Sequence, residues 1–260
     1  MSATVVKLGG ALLDDARALT AVWCGVTALR EAGPVVLVHG GGPQSTALAR
    51  RLGHEPRIVA GRRVTADLDL DIALWTMRGA LNAGLVAAAQ AAGLPAVGLS
   101  GVDGGLVTVE KRPLREVDGE SVDFGHVGDV VGSDPAVLRT LLGVGFVPVV
   151  APLCADGHGR VYNVNADTVA LTLADALGAE ELLLVAEAGG VFRAFPDSGS
   201  RLPELDAMTF ETGVVEGWIA GGMRPKLEVG FEARRRGVPR VRICAAADVA
   251  DASTGTTLLA

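Results

Sequence analysis

Cysteine is scarce. The 260 residues hold three, Cys24, Cys154 and Cys244, far apart and without the paired spacing of a metal site, which argues against a disulfide framework or a zinc module and suits a reducing cytoplasm. The four histidines, His39, His54, His126 and His158, show no metal-ligand spacing either, and His39 at a strand end reads as structural. Positive charge is also short. A formal net charge of −7 argues against a nucleic-acid surface or an acidic protein partner, because a repulsive global field opposes both. Apolar runs are too brief for a transmembrane helix: residues 145–153 are broken by Pro148 and Pro152 and read as buried strand. The chain opens on Ala3-Thr4-Val5-Val6-Lys7, strand-like and without a basic segment leading a long apolar one, so neither signal peptide nor membrane association is expected.

What the chain does have is a hydrophobic content of 49% and 35 glycines, enough apolar surface for a large core and many tight turns. Short β-branched runs at 4–8 and 35–39 precede longer segments at 11–31 and 43–52, the βαβα alternation of a parallel sheet covered on both faces. Further strands are predicted at 96–99, 146–151, 181–185 and 240–243, with helices at 69–92, 134–142, 167–177 and 222–236. Residues 103–132 read as an antiparallel hairpin inserted between α/β units. No linker or internal repeat interrupts the pattern, and the best division falls near Gly178, which predicts lobes of residues 1–178 and 179–260 on one sheet.

Two glycine clusters follow the first two strands directly, Gly9-Gly10 and Gly40-Gly41-Gly42. In a parallel sheet both emerge at the carboxyl edge, where ligands bind and helix amino termini favour anions. Neither matches a Walker loop or a dinucleotide fingerprint; each alone could be a plain turn. Lys7 ends an otherwise apolar strand, a costly place for a charge unless an anion meets it, the competing reading being a lysine that snorkels from the edge. Lys226 falls in the predicted first turn after Gly221-Gly222-Met223, where a cation faces the positive end of the helix. Asp167 follows Asn163-Val164-Asn165-Ala166; it is a helix-start residue by default, yet a carboxylate between two lysines could hold both for phosphoryl transfer. Arg63, within Gly61-Arg62-Arg63-Val64-Thr65, offers a planar fork to a carboxylate, unless it is simply a surface arginine.

Taken in order, Val6-Lys7-Leu8-Gly9-Gly10, His39-Gly40-Gly41-Gly42-Pro43-Gln44, Gly61-Arg62-Arg63-Val64-Thr65, Asn163-Val164-Asn165-Ala166-Asp167 and Gly221-Gly222-Met223-Arg224-Pro225-Lys226 resemble acetylglutamate kinase, of the amino acid kinase superfamily. The resemblance implies a three-layer αβα sandwich with an open, mainly parallel sheet and a hairpin insertion in the N-terminal lobe. It implies an ATP-dependent kinase acting on the side-chain carboxylate of N-acetyl-L-glutamate in arginine biosynthesis, with Mg²⁺ carried by ATP and no metal bound directly by the protein. By motif position Lys7, Asp167 and Lys226 are catalytic; Gly41, Gly42, Arg63 and Asn163 hold the acceptor; Gly9, Gly10, Glu187, Gly222 and Met223 hold phosphate and nucleotide. An ionised carboxylate acceptor needs no general base, since its reference pKa is about 4.3.

The chain departs from the family pattern at Ala186-Glu187, where Thr or Ser followed by Asp is usual, at Ala83 after Asn82, where lysine is common, and at Ala11 after Gly10, where serine is frequent. It also lacks the N-terminal extension of arginine-inhibited hexamers, so the resemblance implies a homodimer. Two rival readings accompany it: a related kinase for aminoadipate linked to a carrier protein in lysine biosynthesis, and a catalytically silent sensor of the same fold.

Overall fold

A computed structural model describes residues 3–117 and 119–259. Eight strands form the main sheet: β1 (Thr4–Leu8), β2 (Val35–His39), β3 (Ala96–Ser100), β4 (Val147–Ala151), β5 (Glu181–Val185), β6 (Glu204–Leu205), β7 (Arg240–Cys244) and β8 (Thr256–Leu258), in the order β6-β8-β7-β5-β1-β2-β4-β3. The six from β7 to β3 run parallel, and β8, between β7 and the edge strand β6, pairs antiparallel with β7. The central strands are apolar almost throughout because both sheet faces are covered by helices.

Alternation along each strand divides the core in two. On one face Val5, Val36, Val38, Leu182 and Leu184 pack against α4 (Ala136–Gly143), α5 (Ala166–Leu177) and α7 (Met223–Arg235). On the other, Val6, Leu8, Leu37, Leu183 and Val185 pack against α1 (Ala16–Ala32) and the end of α3 (Asp67–Ala91). The remaining helices are α2 (Gly42–Arg51) and α6 (Ala207–Glu216). By length and composition α3 could cross a membrane; in this fold its last turns lie along β3 and β4, burying Leu85 and Ala89.

Several expected boundaries move for identifiable reasons. The first helix starts at Ala16 rather than residue 11, because Asp15 caps it, accepting from the amides of Arg17 at 2.8 Å and Ala18 at 3.1 Å, while Gly10–Asp14 forms a separate 3₁₀ turn. The middle of α3, Leu74–Leu81, is wound as a π-helix, a form that tends to occur at functional sites. The inserted hairpin is real but larger than expected. Val107–Lys111 and Gly128–Ser133 pair antiparallel, and Leu153–Ala155 and Val161–Asn163 extend them to a four-stranded sheet. Strands β6 and β8 and helix α6 were not predicted from the sequence.

Candidate active site

The strand order reverses beside β1: β2 lies on one side of it and β5, far later in the chain, on the other. The loops leaving these strands part above the sheet's carboxyl edge, the usual place for a ligand crevice. Lys7 stands at that edge, level with Val38 and Leu184, and shares the side of Val5, under α5 and α7.

Both helices bring a charge to it. Asn165 caps α5, its side chain accepting from the Asp167 amide at 2.7 Å, which sets Asp167 in the first turn. Gly222 is the N-cap of α7, and Lys226 follows one turn in. Asp167 Oδ1 receives Lys7 Nζ at 2.8 Å and Lys226 Nζ at 3.3 Å. All three residues are under 10% exposed: 6% for Lys7 and 8% for each of the others. Burial would raise the Asp167 carboxyl's pKa, but Lys7 and then Lys226 outweigh it and hold the group below the ordinary carboxylate range. Burial, followed by repulsion from Lys7, pulls the Lys226 ammonium down to about 8. One carboxylate thus clamps two ammonium groups that carry a surplus positive charge, a ready partner for phosphoryl oxygens.

A cavity of about 690 Å³ opens over this cluster, lined by Lys7, Gly10, Gly41, Gly42, Arg63, Met77, Asn163 and Asp167 among others. The two glycine loops interlock beside it. A Cβ on Gly10 would lie 2.8 Å from Pro43 Cδ, and one on Gly41 would lie 2.7 Å from Met77 Cγ, so neither site has room for a side chain. Gln44 ties the loops together, its Nε2 donating to the Gly10 carbonyl at 2.8 Å and to Asp14 Oδ2 at 2.9 Å. Arg63 reaches the cavity from the short strand Arg62–Arg63, donating to the Gly42 carbonyl at 3.3 Å and to Thr46 Oγ1. Asn163 Nδ2 donates to Thr65 Oγ1 at 3.4 Å.

Seven of the site residues expected from sequence therefore line one cavity: Lys7, Gly10, Gly41, Gly42, Arg63, Asn163 and Asp167. Lys226 joins them through Asp167. Gly9, Glu187, Gly222 and Met223 are not among the lining residues. Gly222 borders a neighbouring cleft of about 790 Å³ with Arg62, Arg115 and Arg224, and Met223 packs on the core. Glu187 is exposed just beyond β5. Among the described residues no three His, Cys, Asp or Glu side chains gather as a metal-ligand set.

Sequence reasoning left Asn82 and Asp69 without a role. Buried Asn82 donates to His39 Nε2 at 3.1 Å and to the Val149 carbonyl at 2.9 Å, pinning α3 to β2 and β4. His39 is structural, as expected: its Nδ1 donates to the Gly40 carbonyl at 2.7 Å, and burial lowers its pKa to about 4, leaving the ring neutral and Nε2 free to accept. A polar residue amid the apolar positions of a helix was the available signal for Asn82.

Comparison with known proteins places these features in a family. The model of the amino acid kinase family matches residues 2–245. An acetylglutamate kinase of Anaeromyxobacter dehalogenans (strain 2CP-C) is 42% identical over 255 residues, covering 94% of this chain and 91% of its own length. One from Bacteroides thetaiotaomicron is 41% identical over 251 residues, covering 95% of each. Among solved structures, smu.665 from Streptococcus mutans UA159 superposes with a TM-score of 0.82 at 25% identity, over 98% of both chains.

Proposed function

From the premise that this chain belongs to the acetylglutamate kinases of the amino acid kinase family, we propose how its residues divide the work of phosphorylating N-acetyl-L-glutamate. The enzyme transfers the γ-phosphoryl group of ATP to the acceptor's side-chain carboxylate, a reaction of arginine biosynthesis. A carboxylate oxygen forms a bond to phosphorus, the bridging bond to ADP breaks, and the product is an acyl phosphate. The nucleophile is already ionised at neutral pH, so the protein has no proton to remove. Its work is to align two anions and neutralise charge that develops between them.

Lys7 and Lys226 are assigned to the phosphoryl oxygens, with Asp167 holding both ammonium groups in place. Arg63 takes the acceptor's α-carboxylate, Asn163 its acetamido group and the Gly41 and Gly42 loop the rest of the acceptor, while Gly10 meets the phosphate chain. Gly9, Glu187, Gly222 and Met223, outside the lining of that cavity, are assigned to the nucleotide. Mg²⁺ carried on the phosphates supplies further neutralisation. Residues 1–178 form the acceptor lobe and 179–260 the nucleotide lobe, joined through the β1–β5 pairing. The assembly is a cytoplasmic homodimer; the three cysteines are unpaired, and Trp75 stands 54% exposed on α3, an apolar surface that a subunit contact would cover.

The observation that carries this reading is the buried Lys7–Asp167–Lys226 cluster facing a cavity that also holds Arg63. The test is ADP release from purified protein with MgATP, with acyl phosphate trapped as its hydroxamate, comparing N-acetylglutamate, N-acetylaminoadipate, free glutamate and no acceptor. Preference for N-acetylglutamate is expected. ATP binding without turnover on any small acceptor would reject the assignment.

A further inference from the structure

The cavity's arginine is held from behind by a carboxylate that lies outside the cavity lining. Asp69 lies in the first turn of α3, 3% exposed, and does not line the cavity. Its Oδ2 accepts from the Ala66 amide at 3.3 Å, an ordinary helix-start contact. Its Oδ1 faces Arg63 Nη1 at 3.5 Å and His54 Nε2 at 3.1 Å. A guanidinium has five N–H donors. Nη1 meets Asp69, and both Nη2 hydrogens go to the Gly42 carbonyl and Thr46 Oγ1, so a second hydrogen on Nη1 and the one on Nε remain for a ligand in the cavity.

We propose that Asp69 is a positioning residue that holds the Arg63 guanidinium in place for the acceptor's α-carboxylate, and thereby sets the preference for acceptors that carry one. This rests on the reading of Arg63 given above. A free arginine side chain has many rotamers to lose on binding, and restraining it beforehand removes that cost from substrate binding. The Asp69 charge is buried, so salt screens it little, and it partly neutralises Arg63 without filling the place of the substrate.

The experiment compares N-acetylglutamate with N-acetyl-4-aminobutyrate, the same acceptor without its α-carboxylate. Asp69→Asn should raise KM for N-acetylglutamate about tenfold, the scale of one misaligned charged hydrogen bond, with little change in kcat or in KM for ATP. For N-acetyl-4-aminobutyrate, kcat/KM should stay within about twofold of the parent enzyme. Equal losses on both acceptors, or an unchanged KM for N-acetylglutamate, would overturn the proposal. Thermal denaturation checks that the variant folds; if it does not, Thr46→Val, which removes another of the Arg63 contacts, should give the same selective pattern at smaller amplitude, and its absence would be equally fatal. Arg63→Ala tests the parent reading separately. If that variant hits both acceptors equally, the role of Arg63 fails; if it discriminates and Asp69→Asn does not, only the present inference fails.

Discussion

At the residue scale, two ammonium groups and one carboxylate share a buried floor, and the sign of their sum decides what each substitution does. Removing Lys226 leaves Lys7 and Asp167 as a neutral pair, so Lys226→Met should keep the fold while lowering kcat about 10²- to 10³-fold, the usual loss for one electrostatic donor. Removing Asp167 leaves two like charges in a dry site, so Asp167→Ala should cost about 3–5 kcal/mol in denaturant unfolding besides abolishing turnover. The pH response follows from the Lys226 value of about 8 against an ordinary 10.5. Between these values the unfolded chain keeps a proton that the folded apo-protein has shed, so this group's contribution makes stability rise with pH. Charge available to phosphate falls over the same interval. Thus kcat/KM for MgATP should decline above about pH 8, while kcat, measured with phosphates bound and holding the proton, should decline only at higher pH. A profile flat to pH 10 in kcat/KM would contradict the assignment of Lys226. In the sequence Lys7 and Lys226 stood out as charges in costly places and Asp167 as a helix-start residue after a polar cluster, each a separate suspicion.

At the element scale, the glycine loops and α3 act as one unit. Gly41 touches Met77 within the π-wound segment, and Asn82, just past that segment, anchors the helix to β2 and β4. Gly41→Ala should therefore displace Met77 or the loop, lowering affinity for acceptor more than for ATP; isothermal titration with each ligand separates the two. Asn82→Ala strands His39 Nε2 and the carbonyls of Leu99 and Val149 and should cost about 2–3 kcal/mol on unfolding. Strands β1, β2 and β5 were legible to the residue, because a run buried on both faces is apolar from end to end. The four-stranded insertion was legible only in part. Leu153–Ala155 and Val161–Asn163 are three residues each, too short for periodicity, and their pairing is set by partners distant in the chain.

At the scale of the whole molecule, the continuous sheet joins the two proposed lobes through β1 and β5, so binding of the two substrates should couple. With both present, unfolding temperature should rise by more than with either alone, and light scattering should give twice the chain mass; a monomer at micromolar concentration would remove the dimer from the proposal. The chain's own order of residues determined the α/β class, the main parallel strands and the chemistry available: two lysines, one aspartate, one arginine and two glycine loops. It could do so because buried strands, turns and misplaced charges are local signals. The tertiary structure alone decided that Lys226, 219 positions after Lys7 in the numbering, meets the same carboxylate, that Asp69 backs Arg63, and that Glu187 stays outside the cavity. Those are distances between elements, set by how helices seat on a twisted sheet, and no window along the chain contains them.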